Sequence, residues 1–236
     1  MPKFQDLSEF AEAIAPVVNA AHVNVHASAA RAVADLTASS GFTPGILSDL
    51  RFSLPLRPLT RDGLAVLYRY ADPGPDVIDH LRQGTLAEDG DGVLRLTDAG
   101  RSFIDRLYEL HEAAIERAWA GGDLAEAAGL AGRALDTADR LPGEAFELVA
   151  PPYEPEWASP GLLLFNRLAV LRYHRADAHA AAWRRAGLSA AEIVRLECGP
   201  LRAEIEAETN RRAGRAFATL SEGERRTLFE TLLKLV

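Results

Sequence analysis

One short segment limits what this chain can fold into: "LRQGTLAEDGDGVLRLTDAGRSFIDRL", residues 81–107. Asp89–Gly92 separates "TLAE" from "VLRLT", and Asp-Gly pairs tolerate the positive φ angles of a tight turn. The two runs are expected to pair as a hairpin. Thr97 or Asp98 then starts a long helix carrying Phe103, Ile104, Leu107, Leu110 and Ile115. Upstream, Thr60 can cap a helix running to about Tyr70, which "DPGP" at 72–75 cannot continue. Asp76 opens a short helix with Val77, Ile78 and Leu81 facing inward, and Gly84 ends it.

Helix, turn, short helix, hairpin, long helix is the order of a winged helix-turn-helix. A hairpin between otherwise unrelated helices would share the same turn chemistry. Residues 81–107 resemble the wing and following helix of the MarR type, where a leucine helix leads into G-x-L, an acidic hairpin and L-T-x-x-G-R. A second likeness lies in "LRYHRADAHAAAWRRAGLSAAEIVRL" (171–196) and "EAETNRRAGRAF" (206–217). These resemble a group of bacterial MarR-like proteins that share an L-R-x-H-R-x-D-x-H helix and a downstream E-x-x-T-[DN]. The resemblance implies a homodimer, paired through long terminal helices, that binds double-stranded DNA and responds to a small-molecule ligand. The alternative is a winged-helix protein without DNA binding, acting as a small-molecule-binding or protein-interaction module.

The flanking sequence is expected to be all helix. Leu7, Phe10, Ile14, Val17 and Val18 recur at helical spacing, with Pro16 placed to kink or divide the stretch 4–40. Residues 45–59 look like a short helix and a bent connector. Residues 121–160 begin as an alanine-rich helix and end in four prolines, as a linker or draped loop would. A long helix over 161–186 ends at Gly187. Capping boxes at "SAAE" (189–192) and "SEGE" (221–224) open further helices, with another over about 201–219 between them. The expected fold is therefore mainly α. Residues 1–150 would hold the N-terminal helices and the winged helix-turn-helix with its two-stranded wing. Residues 151–236 would hold the proline-rich linker and a helical ligand-binding or dimerisation part.

Charge bears on the choice of partner. Residues 1–150 carry a balance of −10 and residues 151–236 one of +2. An acidic first half argues against broad attraction to nucleic acid, because phosphate neutralisation drives that binding. On the expected DNA face, Asp76 and Asp79 open the recognition helix, leaving His80, Arg82 and Gln83 as base readers. Arg51, Arg57, Arg61 and Arg69 of the adjoining segment, with the wing's Arg95, are the candidate phosphate contacts. A single cysteine, Cys198, excludes an internal disulfide and fits a reducing cytoplasm. The acidic start "MPKFQDLSEF" is unlike a signal peptide, and no apolar run is long enough to cross a membrane.

Ligand candidates lie on two helices. His22 and His26 are four residues apart and share a face, the spacing of helical zinc chelates. Two ligands do not make a site, and a third would have to be His174 or Asp177, so no metal is expected. His174 and Asp177 share a face, which lets Asp177 orient the imidazole or contact a neighbouring helix. His179 lies about 140° round from His174, on a stripe with Arg172, Arg175 and Trp183. Cations, an imidazole and an indole suit an anionic or aromatic ligand, or an acidic partner helix. No nucleophile elbow, phosphate-binding glycine loop or CxxC pair is present, so neither an enzyme nor a bound cofactor is expected.

Overall fold

The structure, a computed structural model, describes residues 4–121 and 124–236. Helix α1 (Leu7–Ser40) starts where the Asp6 carboxylate accepts from the amides of Ser8 and Glu9, and stops at Gly41, whose φ is +73°. It is one helix: Pro16 sits inside it and does not divide it. Helix α2 (Gly45–Asp49) is followed by a strand, β1 (Leu59–Thr60), helix α3 (Arg61–Leu67) and helix α4 (Gly74–Arg82). Strands β2 (Leu86–Glu88) and β3 (Val93–Leu96) form the hairpin, with Gly92 at φ +75°. Asp89 Oδ1 ties the turn by accepting from the amides of Asp91 and Val93.

The sheet has three strands, not two. Its order is β1-β3-β2, all antiparallel, with Leu59 opposite Leu94 and Leu86 opposite Leu96. A two-residue strand leaves too short an alternation to be read from sequence. Helix α4 also differs in detail. Pro73 precedes its first residue, and its inward residues are Val77, His80 and the partly buried Leu81, while Ile78 is 53% exposed. Val77, His80 and Leu81 are spaced by three and four, and Ile78 falls off that stripe.

Helix α5 (Asp98–Ala118) begins at Thr97, whose Oγ1 accepts from the Gly100 amide and donates to the Gly84 carbonyl. Helices α6 (Leu124–Thr137) and α7 (Ala145–Val149) lead to the proline segment, which is tied down rather than loose. Arg57 donates to the carbonyls of Leu148, Ala150 and Pro151, and Arg167 grips Glu154 through both carboxylate oxygens. Helices α8 (Pro160–Arg185), α9 (Ala190–Arg195), α10 (Pro200–Ala213), a 3-10 turn (Gly214–Phe217) and α11 (Glu222–Leu233) complete the chain. Both capping boxes form, at Ser189/Glu192 and Ser221/Glu224.

The core does not divide at residue 150. One apolar cluster runs from Phe4 to Leu235 and joins Phe10 of α1, Ile104 of α5, Phe165 of α8 and Leu228 of α11, all with 1% exposure or less. Each such side chain contributes about 2 kcal/mol on burial, so α1 is held by both halves of the sequence. Helix α1 packs on α5, α8, α10 and α11. A smaller cluster of Trp183, Ile193 and Ile205 holds α8, α9 and α10 together. No helix among the described residues is long and apolar enough to cross a membrane.

Candidate functional site

The residues expected to meet DNA are placed unequally. His80 has no exposed surface, and its Nδ1 bonds the Thr85 hydroxyl at 2.9 Å, so it cannot reach a base edge. Gln83 is turned toward Thr43, whose amide and hydroxyl both donate to its Oε1. Arg57 is occupied by the three carbonyls of the proline segment. Arg61 forms a two-pronged pair with Glu88, at 2.7 and 2.8 Å. Arg82 and Arg95 remain outside, and each has a carboxylate beside it: Asp79 at 3.1 Å and Asp89 at 3.3 Å. The outward face of α4 thus shows Pro75, Ile78, Asp79 and Arg82.

The "HRADAH" motif splits three ways. Asp177 does not hold His174. Its Oδ1 pairs with Arg69, and its two oxygens accept from the amides of Ala145 and Phe146, which start α7. Burial pushes this carboxyl upward, while the Phe146 amide and Arg69 pull it down. The carboxylate is thus the cap of a short helix that has no side-chain cap of its own. His174 packs edge-on against Phe146, with ring centroids 5.2 Å apart, and burial lowers its pKa to about 4. His179 Nδ1 and the Tyr70 hydroxyl share a hydrogen bond at 3.3 Å, and that hydroxyl accepts from the Trp183 indole at 3.1 Å.

His179 opens onto a groove of about 470 Å³ between α1, α8 and α10. Tyr70, Arg172, Arg175 and Glu206 line it with His179, and Pro16 and Ala15 form the apolar side. Arg175 is partly engaged, donating to Asn210 Oδ1 at 2.8 Å and to Glu206 at 3.4 Å. Arg172 is different. It is exposed and donates only to an uncharged atom, Nδ1 of His22, at 3.0 Å. Among the described residues it has no carboxylate within ion-pair distance.

Behind Arg172 lies a second polar group. His22 stacks on Phe165 at 4.9 Å and meets His26 at 4.7 Å, and His26 meets His111 at 5.0 Å. The third imidazole therefore comes from α5, not from His174. The Arg51 guanidinium lies 4.2 Å from the centroid of the Phe165 ring and is 1% exposed. Desolvation, then the positive charge of Arg51, holds His22 and His111 far below the ordinary histidine range and His26 at about 3. All three imidazoles are neutral near pH 7. A cation beside neutral imidazoles is a poor place for a metal, and no group of three or more His, Cys, Asp or Glu among the described residues is placed to hold one.

Sequence reading set Arg51 and Arg69 on the expected DNA face, whereas Arg51 is buried and Arg69 pairs with Asp177, and it missed Tyr70 and His111 as site residues. Arg51 and Tyr70 sit in irregular segments where no periodicity predicts a face. His111 lies four residues from Leu107 on the apolar stripe of α5, the one signal that could have placed it inside. No protein-family model, no curated protein and no solved structure matches this chain.

Proposed function

We propose that residues 45–96 are a winged helix-turn-helix without DNA-reading ability, and that the chain binds a small anionic molecule in the groove between α1, α8 and α10. The observation that carries the reading is Arg172: an exposed cation with no carboxylate partner, in a groove shared with Tyr70, His179 and Arg175. Pockets for small molecules combine apolar walls with a few convergent polar groups, and helix interfaces build them often. Here Pro16 and Ala15 supply the wall, Tyr70 an aromatic face, and Arg172 the charge. The α2–β1–α3–α4–β2–β3 order and the β1-β3-β2 sheet support the winged-helix part.

The operator-binding reading is the weaker one on this geometry. A recognition helix needs Arg, Lys, Asn, Gln or Ser on its outward face. Here that face offers proline, isoleucine, aspartate and an arginine already paired. The hairpin tip adds Glu88, Asp89 and Asp91, and Arg61 and Arg95 are turned onto two of them.

The groove is tested with an aromatic anion that reports its own binding, 8-anilinonaphthalene-1-sulfonate. Wild-type protein should raise its fluorescence saturably. Arg172→Gln should weaken the apparent affinity by about tenfold, the loss expected of one charge-assisted contact. Equal binding by wild type and Arg172→Gln, with both folded by circular dichroism, would remove the groove as the site.

A further inference from the structure

We infer that Arg51 is the receptor for a small carboxylate, held in the interior beside Phe165, His22 and His111. The inference does not depend on the groove.

Three other arginines show how this chain satisfies a guanidinium. Arg61, Arg167 and Arg211 each present Nε and Nη2 side by side to the two oxygens of a carboxylate, on Glu88, Glu154 and Glu208. That edge is a fork whose spacing matches a carboxylate. Arg225 shows the other solution. It is also buried, and it donates to the carbonyls of Phe4, Phe217 and Leu220.

Arg51 has neither. Its Nη1 donates to the Ser48 carbonyl at 2.8 Å, while Nε and Nη2, the fork edge, are buried without an acceptor. Burial lowers its pKa only to about 10, so it is charged at neutral pH. The carboxylate whose charge acts on it is Asp49, which makes no ion pair with it and instead accepts from the Tyr68 hydroxyl at 2.9 Å. A buried charge whose fork edge has no acceptor is destabilising.

The neighbouring imidazole points the same way. Neutral His22 accepts from Arg172 at Nδ1, so its proton is assigned to Nε2, and Nε2 is also buried without an acceptor. The interior beside Phe165 thus holds three buried donors, two of them on one fork, with one net positive charge. A planar monoanion with two acceptor oxygens answers all of these features. A divalent cation answers none. The side chains around Arg51 are the Phe52 and Phe165 rings and the imidazoles, so a short carboxylate of formate or acetate size is the class that fits.

The test uses the full chain in Tris-chloride free of carboxylates. Sodium acetate should raise the melting temperature saturably, and sodium chloride at equal ionic strength should not. Arg51→Lys keeps the charge and removes the fork. It should weaken the apparent acetate affinity by about tenfold or more, the loss of one charged hydrogen bond. Arg106→Gln, on the exposed side of α5 and away from both sites, should leave the acetate response unchanged. Because a substitution at Arg51 could fail to fold, carbon-13 acetate is also titrated into wild type. Magnetisation transfer from its methyl group to the Phe165 and His111 ring protons is expected. Equal shifts by acetate and chloride, an undiminished response in Arg51→Lys, an equal loss in Arg106→Gln, or absence of transfer to those rings would each overturn the inference.

Discussion

Every one of the six histidines is held below its ordinary pKa, and for each the main cause is burial. The sign follows from linkage. A group that resists protonation in the folded state adds nothing to the balance above its unfolded pKa, near 6.5, and destabilises the fold as pH falls below it. His22, His26, His111 and His174 have the deepest burial or the largest shifts, with values of about 4 for His174 and about 3 for His26. Unfolding near pH 5 would take up close to four protons at these sites, a slope of about 5 kcal/mol per pH unit. The carboxyls of Asp49 and Asp177, raised by burial, act in the opposite sense as pH falls. Melting temperatures should therefore be level above pH 7 and fall steeply from pH 6.5 to 5. A profile flat across that interval would mean that the imidazoles are not buried as described. Little of this was legible in the sequence. His22 and His26 could be placed on one face, but which helix covered that face depended on α5 and α8 meeting there. Asp177 likewise shares a helix face with His174, yet it serves Arg69 and the start of α7, partners 31 to 108 residues away.

At the scale of elements the reading from sequence did best where local chemistry sets the structure. The hairpin turn, the caps at Thr60 and Thr97 and both capping boxes follow from residues within four positions of one another. The third strand and the outward turn of Ile78 do not, because each depends on what packs against it. Gly100 in "LTDAGR" shows a residue whose reason is visible only in three dimensions. Its φ is ordinary, but a Cβ there would lie 2.1 Å from the Thr85 carbonyl oxygen and 2.8 Å from Leu96 Cδ1. The glycine lets α5 rest directly on the backbone that enters β2. Gly100→Ala should cost about 1–3 kcal/mol, the range for forcing extra volume into a packed contact. The expected reading is a melting temperature lower by several degrees in a chain of this length, at about 2–4 °C per kcal/mol. An unchanged melting temperature would show that the contact gives way.

For the whole molecule, the proposed winged helix and the charge pattern point to different partners. On the face that a winged helix would turn to DNA, the arginines are paired with carboxylates and the histidine is buried. The net charge of −8 adds no compensating attraction. The mainly helical class and the long 161–186 helix were legible because apolar spacing is a local signal. The continuity of the core across residue 150 was not, because the proline segment resembles a linker and the residues that strap it down, Arg57, Phe52 and Asn166 among them, come from other elements. The most direct measurement is fluorescence anisotropy of a labelled mixed-sequence duplex, titrated with this protein at low salt. DNA readers bind any duplex at about 10⁻⁴ to 10⁻⁶ M in physiological salt, and tighter as salt is lowered. The expected result is no rise in anisotropy at micromolar protein. Saturable binding with a steep salt dependence, lost in Arg82→Ala and Arg95→Ala, would contradict the loss of DNA reading and return the chain to the operator-binding class.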